Sequence, residues 1–252
     1  ALAGLLSAVL AAGALATAAA AAPIPLGSTP GQTYVTNGPV AALARFGNTV
    51  YLGGNFTLVG PRTGPAVALD PSSGALNQPA PQFAGKGVEI DTTAPDGTGG
   101  YYAGGNFRYL GASGSTGPAA RSYLVHIRGD GSLDPSFDPQ LNGRVFALAL
   151  TGGMLYAGGD FNDVNGQSAP FLVALNPASG AVDTKFQSGA NNAVVTLALA
   201  PGGHQLFAGG AFSQIGGDPS DKFIGELDAA TGKAIPAFNA SPDGAVQTLA
   251  VS

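Results

Sequence analysis

"VYLGGNF" occupies Val50–Phe56, and its wording returns as "YYAGGNF" ending at Phe107, "LYAGGDF" ending at Phe161 and "LFAGGAF" ending at Phe212. The first glycines of the four phrases, Gly53, Gly104, Gly158 and Gly209, are separated by 51, 54 and 51 residues. Other landmarks keep the same step. A phenylalanine recurs at Phe83, Phe137, Phe186 and Phe238, each preceded by a turn: "LDPSSGAL", "IRGDGSLD", "LNPASGAV" and "LDAATGKA". Several landmarks sharing one period indicate a repeated structural unit rather than a single reused motif.

Each unit divides into four strand-sized runs, clearest in the third: "GRVFALAL", "MLYAGGDF", "PFLVALN" and "AVDTKF". Short Gly-rich connections ("TGG", "PDGTGG", "APGGH") join the first two runs, and Asn/Asp-Pro turns ending in Gly join the last two. Both are hairpin connections, so the runs should pair antiparallel as a meander. Four antiparallel strands in about 50 residues make one propeller blade. The Gly-Gly pair then reads as a packing device, since a residue without a Cβ permits close backbone approach or a bulge. The Phe that follows is available to fill the wedge between sheets.

Composition agrees with an all-β reading. The 252 residues are 45% hydrophobic and 10% charged, enough for a large core, and Gly 40 with Pro 19 supplies turns. A net charge of −5 without any Lys/Arg cluster speaks against nucleic acid as a partner. With Cys 0, disulfides, Cys-based zinc sites and thiol nucleophiles are excluded. Residues 1–22, "ALAGLLSAVLAAGALATAAAAA", read as the apolar part of a secretory signal whose start is truncated, with Ala20 and Ala22 suited to a cleavage site. A membrane anchor is the alternative reading of that segment.

"YYAGGNF", "RSYLVHIRGDGSLDPSFDP" (Arg121–Pro139) and "APDGTGGYYAGG" (Ala94–Gly105) resemble the delta-60 repeat (DUF5122-type) family. Its bacterial surface and secreted members carry arrays of such units, and the resemblance implies β-propeller architecture while assigning no chemistry. It covers residues 38–252; the first, third and fourth repeats replace "GDGSLDPSF" with a "DPxSG" or "DAATG" type of turn. The expected organisation is a signal-like segment at 1–22, a lead at 23–37, and propeller repeats at 38–86, 87–142, 143–192 and 193–243. Residues 244–252 would begin a fifth unit, making four blades and one strand of an incomplete ring.

Motifs for chemistry are sparse. No Ser lies in a G-x-S-x-G elbow, and "GTGGYYAGG" lacks the lysine of a phosphate-binding loop. "DFNDVNG" (Asp160–Gly166) approaches a calcium loop, but Phe161 holds the first ligand position and donates no oxygen. Asp134 and Asp138 in "LDPSFDP" read as turn caps rather than an acid–base pair, and both histidines, His126 and His204, as structural or solvated. "LDAATGKA" is similar to the turn of quinoprotein propeller repeats, which dock each blade with a tryptophan; Trp 0 speaks against that activity. No cofactor, metal or catalytic residue is assigned.

The candidate ligand contacts are Asp91 and Glu89 in the first strand "VEIDTTA", and Asn55, Asn106 and Asp160 after the Gly-Gly pairs. Aligned by wording, Asp91 falls in the column of Leu43, Leu148, Leu197 and Leu249, where it would face a central channel or be turned outward by a bulge. The functional expectation is a secreted or cell-surface, non-enzymatic scaffold or binding platform for an extracellular protein or glycan. The alternative is a secreted polysaccharide-acting enzyme with its carboxylates in blade-end loops, about 5–10 Å apart in one cleft.

Overall fold

The structure is a computed structural model, described here for residues 34–36, 39–46, 49–55, 59–61, 73, 81–112, 121–151, 153–240 and 242–251. All of these lie in one compact unit, Gln32–Ser252. The signal-like segment 1–22 lies outside the described residues. Among the described residues there is no helix, and every strand pairing is antiparallel.

The first repeat contains β1 (Tyr34–Thr36), β2 (Val40–Phe46), β3 (Thr49–Gly54) and β4 (Val59–Pro61), with β1 paired to β4 and β2 to β3. The second forms a sheet of β5 (Pro81–Pro95), β6 (Tyr101–Ala112) and β7 (Arg121–Ile127). In the third, β8 (Arg144–Leu150) and β9 (Leu155–Asp160) precede a small hairpin of β10 (Asp163–Val164) and β11 (Gln167–Ser168), then β12 (Leu172–Leu175). The fourth is β13 (Val194–Leu199), β14 (Gln205–Gly210) and β15 (Ile224–Asp228). In each three-stranded sheet the Gly-Gly strand is central, as hairpin connections on both its sides require.

The core lies in the seams between repeats. All four residues of β12 are buried: Leu172 and Ala174 enter the seam with repeat four, Val173 and Leu175 the seam with repeat two. Alternating side chains thus serve two different seams, the pattern of a blade covered on both faces. The first strands adjoin one another, β8 lying against both β5 and β13, so they form the inner edge of the array. The fold is an all-β propeller of stacked antiparallel sheets.

The Gly-Gly pair has two separate tasks. A Cβ on the first glycine would strike a valine of the following repeat. At Gly104 it would lie 2.7 Å from Val145 Cγ1, and at Gly158 and Gly209 it would lie 2.8 Å from Cγ1 of Val194 and Val246. A Cβ on the second would strike the repeat's own first strand: at Gly105 it would meet Ile90 Cα at 2.9 Å, and at Gly210 Val194 Cα at 3.0 Å. Neither task calls for left-handed backbone; both call for room.

The second task coincides with a bulge in every first strand. The β2–β3, β5–β6, β8–β9 and β13–β14 ladders shift register between Val40 and Ala42, Ile90 and Thr92, Val145 and Ala147, and Val194 and Thr196. This corrects the placement of Asp91. It is the extra residue of the bulge, equivalent to Ala41, Phe146 and Val195, and Thr93 takes the column of Leu43, Leu148 and Leu197. The bulge is common to all four first strands, so it realises the outward-turned alternative for Asp91, and alignment by wording was two positions out of register.

In repeats two, three and four the expected fourth strand is reduced to one bridge: Ile127 to Leu133, Leu175 to Val182 and Leu227 to Ala234. The chain then turns, with Phe137, Phe186 and Phe238 N–H donating to the carbonyls of Asp134, Asp183 and Ile235. The turn carries Phe137 and Phe186 out of their sheets into the seams, where they are buried. The boundary at 86/87 falls inside β5, where Gly87 takes φ 64°. Tyr123, Phe171 and Phe223, in equivalent positions at the third strands, hold φ of 67°, 65° and 67°. Such backbone costs bulky residues about 1–3 kcal/mol each. It turns Tyr123 and Phe171 onto the seam clusters, where their rings pack.

Gly158→Ala should therefore destabilise the protein by about 2 kcal/mol in urea unfolding, by overpacking the seam. Adding Val194→Ala should show favourable coupling of about 1 kcal/mol in a double-mutant cycle, because the smaller partner makes room. Additive losses would show that the two residues do not share the space.

Candidate functional site

The convergent titratable side chains lie at the hairpin end of repeat two, beside the seam with repeat three. Asp96 stands in the β5–β6 turn, where its carboxylate accepts from Thr98 N (2.7 Å), Thr98 Oγ1 (2.8 Å) and Gly100 N (2.9 Å). This is an Asx turn, in which a short acid replaces a carbonyl in capping the backbone. Antiparallel pairing sets Tyr102 opposite His126 on β7, and the rings stack at 4.3 Å with 16° between planes. Asp134 follows the fourth-run bridge; its Oδ1 accepts from Ser136 N at 3.0 Å and Arg128 Nη2 at 2.7 Å.

These pieces meet at the imidazole. Nε2 of His126 is 3.0 Å from Asp96 Oδ2, and Nδ1 is 3.0 Å from Asp134 Oδ2. An ionised carboxylate only accepts, so each ring nitrogen can bond its neighbour only by donating. Burial pushes the Asp96 carboxyl up, but the donors on Thr98, His126 and Gly100 outweigh it and hold it at about 2. Asp134 is likewise raised by burial and lowered further by His126, Ser136 N–H and Arg128, ending below its usual range. Burial, then the charges of Asp96 and Asp134, push the Tyr102 phenol to about 12.

A crevice of about 490 Å³ opens over this cluster, closed on the other side by Leu150, Thr151, Pro177 and Ala178 of repeat three. Tyr102 OH crosses the seam to donate to Pro177 O at 2.7 Å. The same bond recurs one repeat later, from Tyr156 OH to Ala229 O at 2.7 Å, whereas repeat four has Phe207 at that position. The phenol thus works as a latch between neighbours. The charged cluster does not recur in repeat three, where Ala174 and Thr151 stand in place of His126 and its acidic turn.

The residues expected to contact ligand are distributed differently. Asp91 and Glu89 lie at the inner edge and share Arg144 of the next first strand. Arg144 Nε is 2.7 Å and Nη2 2.6 Å from the Asp91 carboxylate oxygens, and Nη2 also pairs with Glu89. The Arg144 guanidinium also lies 5.2 Å over the Phe146 ring. Hydrogen bonding to Asp91 leads the effects that hold this arginine more firmly protonated than usual. Asn106 donates to Gly87 O at 3.2 Å, Asn55 N–H donates to Pro39 O at 3.1 Å, and Asp160 is exposed at the end of β9. These three stand one per repeat at the same strand position, so they do not converge.

Asp134 and Asp138 are separately engaged, the second with Arg121 at 3.4 Å. In "DFNDVNG", Asn165 and Gly166 take φ 54° and 74° and form the β10–β11 hairpin turn, with Asp163 capping Gly166 N at 2.9 Å. Among the described residues no set of His, Asp and Glu side chains could hold a metal ion. Sequence reading missed Asp96 and Asp134 as partners of His126, and Arg128 as a partner of Asp134. The available signal was their coincidence: repeat two alone combines an acidic first turn, a third-strand histidine and an aspartate at the fourth run.

The depressed Asp96 carboxyl sets an acid limit. Its folded value of about 2 lies below the ordinary 3.8, so it stabilises the fold above pH 4 and loses that contribution as pH falls towards 2. The loss should be about 2 kcal/mol. Asp96→Asn should flatten that part of the stability–pH curve, measured by urea unfolding between pH 2 and pH 6. Tyr156→Phe should cost about 1 kcal/mol at neutral pH through the lost latch bond.

Comparison with curated proteins returns no match. Residues 153–186 match the family described as "Domain of unknown function (DUF5122) beta-propeller". That stretch runs from the start of β9 to the seam-filling Phe186, the part of the unit that carries the Gly-Gly strand, the outer hairpin and the Asn-Pro turn. Residues 153–186 thus match a β-propeller repeat, and the sheets of repeats two and four share the strand plan of the matched unit.

Proposed function

We propose that this chain is a secreted or cell-surface module, working as a rigid, non-enzymatic scaffold or binding platform for an extracellular protein or glycan. The observation that carries this reading is the occupation of the His126 cluster. Its two carboxylates share one crevice, as a glycosidase pair would, but the imidazole fills the space between them and engages one oxygen of each. A glycoside hydrolase needs one carboxyl kept protonated as acid and room for a sugar between the pair. Here both carboxyls are lowered and the room is taken. The Arg144 cluster is likewise engaged across repeats. Charge that binds neighbouring repeats together favours a stiff platform over a reacting site.

Export rests on the signal-like wording of residues 1–22. A reporter phosphatase joined after residue 37 should be active outside the cytoplasm of a bacterial host. The full chain, incubated with a panel of neutral and acidic polysaccharides, should release no new reducing ends and no unsaturated products. The same chain on a glycan array should retain at least one glycan class, or none if the partner is protein. Turnover that disappears in Asp96→Asn or Asp134→Asn would overturn the platform reading in favour of the enzyme.

A further inference from the structure

The outer loop of repeat four, residues 211–223 between β14 and β15, ties that repeat to its neighbour. Ile215 is fully buried at its base. Gly216 N–H donates to Ser188 O, and Gly216 O accepts from Ala234 N at 3.1 Å. Asn191 holds the loop from the other side: its Oδ1 accepts from Ser213 N at 2.9 Å and Gln214 N at 3.2 Å, and its Nδ2 donates to Ser213 Oγ at 2.9 Å. The loop therefore clasps the linker between repeats three and four to the fourth run of repeat four.

Asp221 stands inside this clasp. It is 3% exposed, and its Oδ2 is buried with no hydrogen-bond partner. Two residues before the left-handed aromatic of its repeat, it takes the place that Ala169 holds in repeat three, where the methyl packs on the apolar seam. The carboxyl fills the space over Gly225: a Cβ there would lie 3.3 Å from Asp221 Oδ2 and would also meet Ile215 Cγ2. Its packed neighbours Ile215 and Gly225 carry no charge. Asp218 on the loop and Glu226 on β15 are both acidic, and the exposed Lys222 forms no ion pair with it among the described residues.

We propose that Asp221 makes the 211–223 loop a proton-operated clasp, closed on the seam between repeats three and four while the carboxyl is neutral and released when it ionises. A neutral carboxyl is tolerable in this apolar seat, whereas an unpaired carboxylate is not. Burial, followed by the charges of Asp218 and Glu226, raises the group to about 6 in the closed loop, and release returns it to water and to its ordinary 3.8. Opening therefore discharges a proton. Closure is complete below about pH 4, weakens as pH rises to about 6, and changes no further above that. The clasp operates whether or not the platform reading holds.

Amide hydrogen exchange on the full chain tests it, with rates corrected for the intrinsic pH dependence. Between pH 4.5 and pH 7.5 the amides of Ser213, Gln214 and Gly216 should lose protection roughly twenty-fold, while Leu206 and Ala208 in β14 stay constant. Asp221→Asn, neutral at every pH, should keep the loop protected throughout. Loop protection that is independent of pH in the wild type, or that falls equally in Asp221→Asn, would overturn the clasp. Carbon-detected NMR titration of the wild-type chain needs no variant: the Asp221 carboxyl and the loop amides should shift together with a midpoint near 6. An Asp221 midpoint near 4, or loop amides that ignore it, would equally refute the proposal.

Discussion

Repeats two, three and four each receive a valine of the stretch that follows them in the space that a side chain would have filled. Val145 seats on Gly104, Val194 on Gly158 and Val246 on Gly209. Close packing makes this contact intolerant of even one added methyl group, and its recurrence sets the distance and rotation between successive sheets. The second glycine lets the Gly-Gly strand cross the bulge of its own first strand. Seam clusters, phenol latches and cross-repeat ion pairs all presuppose this stacking.

Polar contacts then refine what apolar stacking permits. The Tyr102 and Tyr156 hydroxyls each reach a carbonyl of the following repeat from an otherwise buried ring, a use of tyrosine that joins apolar area to one directed bond. At the inner edge Arg144 gathers Glu89 and Asp91 of the preceding repeat, and at the hairpin end His126 draws together three segments of its own. Ionic groups of this kind contribute little net stability against apolar replacements, but they resist rearrangement once formed, because breaking one leaves a charge without its partner. Among the described residues they occur in repeat two and at its border with repeat three.

The repeats therefore differ in what acid and base do to them. Repeat two depends on carboxylates that must stay ionised, Asp96 and Asp134, whereas repeat four shelters a carboxyl that is easier to bury neutral. The difference arises from surroundings: four donors face Asp96, while an isoleucine, a glycine and two like charges surround Asp221. Similar backbone units consequently respond to pH in opposite directions.

The period of the Gly-Gly phrase, the hairpin turns and the burial of both sheet faces were legible in the amino-acid order, because each depends on residues close together in the chain. Alternation and turn chemistry are local, and they determined the class of fold and the antiparallel meander. A bulge beside Asp91 was one of the two placements that the wording offered, but the register was not legible: Asp91 stands two positions before the leucine column, which Thr93 holds. Nor were the partners of the charges: Arg144 meets Asp91 across 53 positions, His126 meets Asp96 across 30, and Tyr102 meets Pro177 across 75. Those contacts arise only when one sheet lies on another, so tertiary stacking alone decided which acids are engaged and that Asp221 has no partner for its buried oxygen.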